Sequence, residues 1–171
     1  MNMKGDLMKK IIFIIITVVI GVLVYLKSDE IIIPTDAIRV RIIANSNSIE
    51  DLYQKKKLKD SIKDELYSLV KDASSFDEAN NNIKNGLNII KKLINEKNIE
   101  AEIDYGLNYF PKKTYKGVVY PEGEYQSLVI TLGSGLGDNW WCVLYPPLCM
   151  INENSNTDDV EYKLLVKELL N

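Results

Sequence analysis

Two segments in the middle of the chain carry apolar residues at the three- and four-residue spacing of an amphipathic helix. The apolar positions of the first are Leu58, Ile62, Leu66, Leu69 and Val70, and those of the second are Phe76, Ala79, Ile83, Leu87, Ile90 and Ile94. Ser48 and Ser75 precede these segments, each with an acidic residue three positions later. A serine in this position accepts a free backbone N–H as an N-cap. We therefore predict two long helices.

The remaining apolar residues alternate with polar ones at a period of two, which is the spacing of β-strands. The predicted strands cover residues 38–44, 99–105, 114–120, 125–132 and 141–145. In the first strand, Arg39 and Arg41 point to one face and the apolar side chains to the other. A strand, two helices and then several closely connected strands predict an α+β fold, with a mainly antiparallel sheet covered by two or three helices.

A separate apolar segment precedes this domain. The residues from Ile11 to Leu26 carry no charge, and three lysines stand before them. This order predicts an N-terminal membrane helix with its basic side in the cytoplasm. As a helix the segment spans about 24 Å, slightly less than the ~30 Å hydrocarbon core of a bilayer. The alternative is a cleaved signal peptide, although the small-residue pattern of a cleavage site is missing. In either case we expect the rest of the chain to be exported.

The chain length of 171 residues suits one globular domain with an appendage. The predicted parts are a transmembrane anchor or signal segment over 1–27, a tether over 28–37, an α+β domain over 38–151, and a polar linker with a C-terminal helix over 152–171. We expect the final helix to place Val160, Leu164 and Leu169 against the domain.

Charge and composition restrict the possible functions. The net charge is −3, which disfavours nucleic-acid binding. The chain has no histidine, so the commonest general base and metal ligand at neutral pH is missing. We predict no metal and no cofactor. A hydrolase would have to use Asp138 with Glu122 or Glu124, or Cys142 as a nucleophile without an activating histidine.

The segment from Gly133 to Cys149 concentrates the unusual residues, because it holds both tryptophans and both cysteines of the chain. Adjacent strand residues point to opposite faces, so Trp140 and Trp141 cannot both enter one core. We expect Trp140 to be the exposed one. The two prolines that follow end the strand near Tyr145, because proline donates no backbone hydrogen bond.

The two cysteines, Cys142 and Cys149, stand on either side of the proline pair. An exported protein can oxidise its thiols, and the bend can bring the Cα atoms within the ~4.4–6.8 Å that a disulfide needs. We predict a disulfide that orders this segment. The alternative is a pair of reduced cysteines buried as small apolar residues.

Three segments of the chain carry a family resemblance, and they cover residues 39–46, 117–132 and 139–149. Together they resemble the stage II sporulation protein R family over Ile38 to Met150. The last segment, Asn-Trp-Trp-Cys-Val-Leu-Tyr-Pro-Pro-Leu-Cys, is the most specific. Asn47 and Tyr145 stand where the family pattern has an aspartate and a phenylalanine.

The resemblance implies a protein that is not an enzyme. It implies a signalling protein of endospore-forming bacteria, exported across the forespore membrane and membrane-anchored or secreted into the intermembrane space. Its partner would be a membrane-embedded aspartic protease of the mother cell, which removes the pro-sequence of sigma E once activated. The alternatives are an exported wall- or lipid-binding module that uses an exposed tryptophan, or the hydrolase described above.

We assign partner binding to nine polar, aromatic or proline residues of the resembling segments. They are Arg39, Arg41, Asn45, Asn139, Trp140, Trp141, Tyr145, Pro146 and Pro147. Two interpretations of the arginines remain open. They cover a solvated strand face, or their planar guanidinium groups recognise a partner's carboxylate.

Overall fold

A computed structural model describes the backbone of residues 3–26, 30–148 and 159–170, and the side chains of residues 8–20, 30–148 and 162–170. The chain divides into two compact units, of which the first is the N-terminal helix and the second begins at Ile31. The elements of the second unit, in chain order, are β1 (Ile31–Ile32), β2 (Ile38–Ile43), α2 (Ile49–Val70), α3 (Phe76–Asn95), β3 (Ala101–Phe110), β4 (Lys113–Tyr115), β5 (Val118–Tyr120), β6 (Gly123–Leu132), β7 (Asn139–Tyr145) and α4 (Asp159–Leu170).

The first unit is the helix α1, which runs from Met3 to Leu26. Its apolar side chains from Met8 to Ile20 are exposed. Within the described part of the chain, the structure has no helix that is long and apolar enough to cross a membrane. This finding contradicts the predicted transmembrane anchor. The uncharged run behind that prediction holds fewer than the ~20 residues that a membrane-spanning helix needs.

The sheets of the second unit are mixed, which corrects the prediction of a mainly antiparallel sheet. The larger sheet has the order β3-β6-β2-β7, and its two central strands β2 and β6 are parallel. The two outer strands are antiparallel to their neighbours. The strand β3 runs opposite to β2, because β3 is antiparallel to β6 and β6 is parallel to β2.

The main core lies between this sheet and the helices α2 and α3. The helix caps form as predicted, since the Ser48 side chain accepts the Asp51 N–H at 3.1 Å and the Ser75 side chain accepts the Glu78 N–H at 3.2 Å. The apolar stripes are buried as predicted, and the fully buried helical side chains include Leu58, Ile62, Leu66, Ile83, Ile90 and Ile94. They meet the apolar side chains of β2 and β6.

A smaller sheet of order β1-β5-β4 and the helix α4 form a second core. Residues 28–37 were predicted to be a tether, but the part of them that the structure describes contains β1, which pairs in parallel with β5. Ile31, Ile33 and Ala37 are buried in this second core. The folded unit therefore begins several residues before the predicted boundary.

The C-terminal helix is present, but it turns a different side to the protein from the one predicted. Tyr162 and Val166 are fully buried in the second core. Leu164 is exposed, as is Leu169, and the side chain of Val160 lies outside the described residues. The two buried residues are four positions apart and therefore lie on the same side of the helix. The Tyr162 hydroxyl also forms a hydrogen bond with the Tyr120 hydroxyl at 2.5 Å.

Candidate partner-binding site

The strand register separates the predicted site residues onto two faces of the larger sheet. Arg41 pairs with Trp141, and the adjacent pair joins Ile42 to Trp140. Since Ile42 belongs to the core beneath the helices, Trp140 points to the helix side and packs against that core. Trp141 lies on the opposite face with both arginines. The prediction that Trp140 is the exposed tryptophan is therefore not supported, since both indoles are partly buried.

Arg39 is the most unusual side chain of this second face, because it is charged and only 3% exposed. Its guanidinium carbon lies 3.4 Å from the centroid of the Tyr125 ring and 5.5 Å from that of Phe110. The two rings meet edge to face with centroids 6.1 Å apart. Their π-electrons face a permanent cation, which attracts them electrostatically. Arg39 is thus held in an aromatic cage, and the prediction of a solvated strand face is wrong for it.

The aromatic cage does not satisfy the polar atoms of Arg39. Its Nε and Nη2 atoms are buried and have no hydrogen-bond partner. Burial lowers the pKa of this arginine, although an arginine stays protonated in any protein. A cation–π contact stabilises by about 0.5–2 kcal/mol, whereas desolvating an ion costs several kcal/mol. The free protein therefore keeps an incompletely compensated positive charge beneath its surface.

Arg41 lies two residues after Arg39, on the same face of β2, but it makes different contacts. Its Nε donates to the Asn139 Oδ1 at 2.8 Å, and its guanidinium carbon lies 4.6 Å from the Trp141 ring centroid. Trp141 contacts Phe110 edge to face at 5.3 Å, which joins the Arg41 cluster to the aromatic cage of Arg39. Four of the predicted partner-binding residues, Arg39, Arg41, Asn139 and Trp141, thus share one face.

A cavity of about 460 Å³ opens beside these residues. Arg39 lines it, together with Phe110, Trp141, Tyr115 and Tyr120. Lys113 also lines the cavity, and its ammonium group lies 5.7 Å from the Trp141 ring centroid. The cavity is therefore rich in aromatic rings and carries two side-chain cations.

Asn45 lies away from this face, in the loop between β2 and α2. It forms hydrogen bonds with the glycine-rich loop over residues 133–137. Its Oδ1 accepts the Ser134 N–H and the Ser134 hydroxyl, both at 2.9 Å. Its carbonyl accepts the Leu136 N–H at 3.0 Å, and the Ala44 carbonyl accepts the Gly137 N–H at 2.8 Å. A Cβ atom on Gly137 would lie 2.3 Å from the Ser46 carbonyl oxygen. The structure therefore gives Asn45 a clear role in loop packing.

The other predicted partner-binding residues are not brought to this face. Tyr145 packs against the core on the helix side, and Pro146 and Pro147 form the turn after β7. Cys142 is disulfide-bonded in the structure, whereas Cys149 lies outside the described residues, so the Cys142–Cys149 pairing stays a prediction. A thiolate nucleophile at Cys142 would require a free thiol, and none is present there.

The carboxylates considered for a hydrolase are far apart. Asp138 lies beside the end of β2, where its carbonyl accepts the Ala44 N–H at 3.2 Å. Glu122 and Glu124 lie at the start of β6, which runs parallel to β2. A strand rises about 3.3 Å per residue, so β6 alone separates the two ends by roughly 26 Å. Paired carboxylates of a glycosidase lie within ~10 Å of each other.

Comparison with known proteins agrees with the segments that carry the resemblance. A family model described as Stage II sporulation protein R (spore_II_R) matches residues 34–155. The chain is also 39% identical over 163 residues to Stage II sporulation protein R of Bacillus subtilis (strain 168), with 85% of this chain and 73% of that protein covered. The chain belongs to the stage II sporulation protein R family. No solved structure gives a significant match.

Membership of the stage II sporulation protein R family supports a role in sporulation. The candidate site on this family member also contains residues that sequence reasoning missed. Phe110 and Tyr125 cage Arg39 and Lys113 lines the cavity, yet none of the three was predicted as a site residue. Only Tyr125 lies in a predicted strand. The contact of Phe110 and Tyr125 with Arg39 depends on the pairing of distant strands, which the local sequence pattern does not show.

Proposed function

We propose that this protein is an exported sporulation signal that activates a membrane-embedded aspartic protease, which then processes pro-sigma E in the mother cell. In this role it is a binding protein and not an enzyme. The basic and apolar N-terminal segment supports export as a targeting sequence. Family membership supports sporulation, and the proposed partner is the one that the family resemblance implies.

The observation that carries the proposal is Arg39, a buried cation with two unsatisfied nitrogen atoms beside an aromatic cavity. Interface hot spots are enriched in arginine, tryptophan and tyrosine, which lie in desolvated pockets. The face around Arg39, Arg41 and Trp141 has this composition, and two nitrogen atoms of Arg39 have no hydrogen-bond acceptor among the described residues. We therefore place protease contact on this face.

Reconstitution in a bacterium that does not sporulate tests the proposal. The host produces this protein in exported form, the protease and the pro-sigma-E substrate, and processing is followed by immunoblot. We expect processing only when all three proteins are present. Processing that is equally fast without this protein would contradict the proposal, as would no processing when all three are detected in their compartments.

A paired substitution locates the contact in the same assay. Arg39→Met removes the unsatisfied cation but keeps a long side chain, and we expect it to abolish processing. Lys112→Gln removes one positive charge from an exposed position beside the cavity, without lining it. We expect processing to continue in this control. Equal processing by both variants would remove Arg39 from the protease contact.

A further inference from the structure

The cavity beside Arg39 is suited to a negatively charged group attached to apolar atoms. None of the described residues that line it is acidic, whereas Arg39 and Lys113 supply two positive charges. Its walls are largely aromatic, and they include Phe110 and Trp141. The planar guanidinium of arginine matches the geometry of a carboxylate, which can accept hydrogen bonds from two of its nitrogens. The chemistry of the cavity therefore selects a carboxylate with apolar neighbours.

The position of the cavity indicates how such a carboxylate would be presented. Its lining comes from β4, through Lys113 and Tyr115, and from β7, through Asn139 and Trp141. Among the described strands, each of these two is the outermost of its sheet. An outer strand has backbone N–H and C=O groups along one edge that an extended peptide can pair with. Residues of two outer strands thus line the cavity, so an extended peptide that binds there can lie next to a strand edge.

We propose that this cavity binds an acidic side chain of an extended peptide segment whose neighbouring residues are apolar. The carboxylate meets the positive charge of Arg39 where this residue lines the cavity, Lys113 adds a second charge, and the apolar neighbours pack on Phe110 and Trp141. This inference rests on the proposed function only for the origin of the peptide, which would be a segment of the activated protease. The peptide chemistry itself is read from the cavity.

Direct binding of model peptides to the full-length chain tests the inference without the protease. The probes are the capped peptide Leu-Val-Glu-Val-Leu with a short polyethylene glycol tail and its counterpart with glutamine in place of glutamate. Titration calorimetry measures both affinities. We expect the glutamate peptide to bind at least about 10-fold more tightly, because a hydrogen bond to a charged partner is worth about that factor. Equal affinities, or no binding of either peptide, would overturn the inference.

The arginine content of the chain allows the contact to be observed at one atom. Arg39 and Arg41 are its only arginines, so a nitrogen-labelled sample gives two side-chain Nε–H signals by nuclear magnetic resonance, and Arg41→Lys assigns them. We expect the glutamate peptide to shift the Arg39 signal, because a carboxylate in the cavity changes the electrostatic surroundings of this side chain. A shift of the Arg41 signal alone would place the peptide elsewhere and overturn the inference.

Two further comparisons complete the test. Lys113→Gln should weaken binding of the glutamate peptide several-fold, whereas Lys112→Gln should leave it unchanged, since only Lys113 lines the cavity. Phenylacetate supplies the carboxylate and an apolar group without a peptide backbone. If it binds as tightly as the glutamate peptide, the peptide assignment fails. Failure of these titrations with successful protease activation would contradict the carboxylate cavity and leave the proposed function standing.

Discussion

The guanidinium carbon of Arg39 lies 3.4 Å from the centroid of the Tyr125 ring, although the two residues belong to different strands. Tyr125 is itself fixed, because its hydroxyl donates to the Pro121 carbonyl at 3.1 Å. The planar guanidinium contacts this ring, and its buried Nε and Nη2 atoms have no acceptor among the described residues. The positive charge of Arg39 is therefore incompletely compensated.

We predict that Arg39→Met leaves the free energy of unfolding unchanged or raises it by about 1 kcal/mol, because it replaces an unsatisfied buried cation with an apolar chain of similar length. Denaturant unfolding followed by tryptophan fluorescence measures the free energy of unfolding. Ile42→Ala, on the helix side of the same strand, serves as a control and should lower the same quantity by about 2–5 kcal/mol. A comparable loss in Arg39→Met would show that Arg39 is mainly a stabilising residue.

The glycine loop provides a second matched pair. In Gly137→Ala the new Cβ would lie 2.3 Å from the carbonyl oxygen of Ser46, which is backbone and must move. We predict a loss of about 1–3 kcal/mol in unfolding free energy. In Gly106→Ala the nearest non-adjacent neighbour of the new Cβ is the Asp104 carboxylate at 4.0 Å, so we expect a change within about 0.5 kcal/mol in unfolding free energy. Equal effects in thermal unfolding of the two variants would contradict the close approach of the loop.

The pH dependence of stability should report on the start of α2. Hydrogen bonds from Ser46 and then Asn45 lower the pKa of Asp51 below its ordinary value of 3.8. Because the folded-state pKa is lowered, the stabilisation is complete above pH 3.8 and is lost as the pH falls through the folded-state pKa. We predict that Asp51→Asn lowers the melting temperature at neutral pH. The difference from the parent protein should shrink below about pH 4, and a constant difference would exclude this linkage.

The cysteine prediction can be tested chemically. If Cys142 and Cys149 are bridged, the protein purified without reductant should resist thiol alkylation in denaturant until reductant is added. So short a loop stabilises the fold by roughly 2.5 kcal/mol in the chain-entropy model, so we expect Cys142→Ser to fold. In the processing assay, Cys142→Ser should reduce protease activation strongly, whereas its melting temperature should fall only slightly. Rapid alkylation of both thiols before reduction would contradict the bridge.

Local structure in this protein was largely predictable from the sequence. The caps at Ser48 and Ser75 and the apolar stripes of α2 and α3 form as their spacing indicates, because those signals act within a few residues. The phase of α4 was not predictable in this way. Its leucines occupy more than one side of a twelve-residue helix, and the tertiary contacts of Tyr162 and Val166 decide which side is buried.

The candidate site was predictable only in part. Strand alternation correctly separates Trp140 from Trp141, but it does not say which face the helices cover. Four of the site residues were named from the sequence, whereas the aromatic cage at Phe110 and Tyr125 depends on β6 inserting between β3 and β2. That order is set by the whole core, and no local pattern encodes it.

The central position of β2 has a consequence for biogenesis. The residues of β6 and β7 that pair with β2 lie more than eighty positions later in the chain. Pairings that span so much sequence form late, because a long loop must close before any contact is gained. During synthesis Arg39 therefore emerges well before its cage, and the large sheet stays incomplete until β7 has left the ribosome. A chain of this topology remains threadable through a translocation channel for most of its elongation.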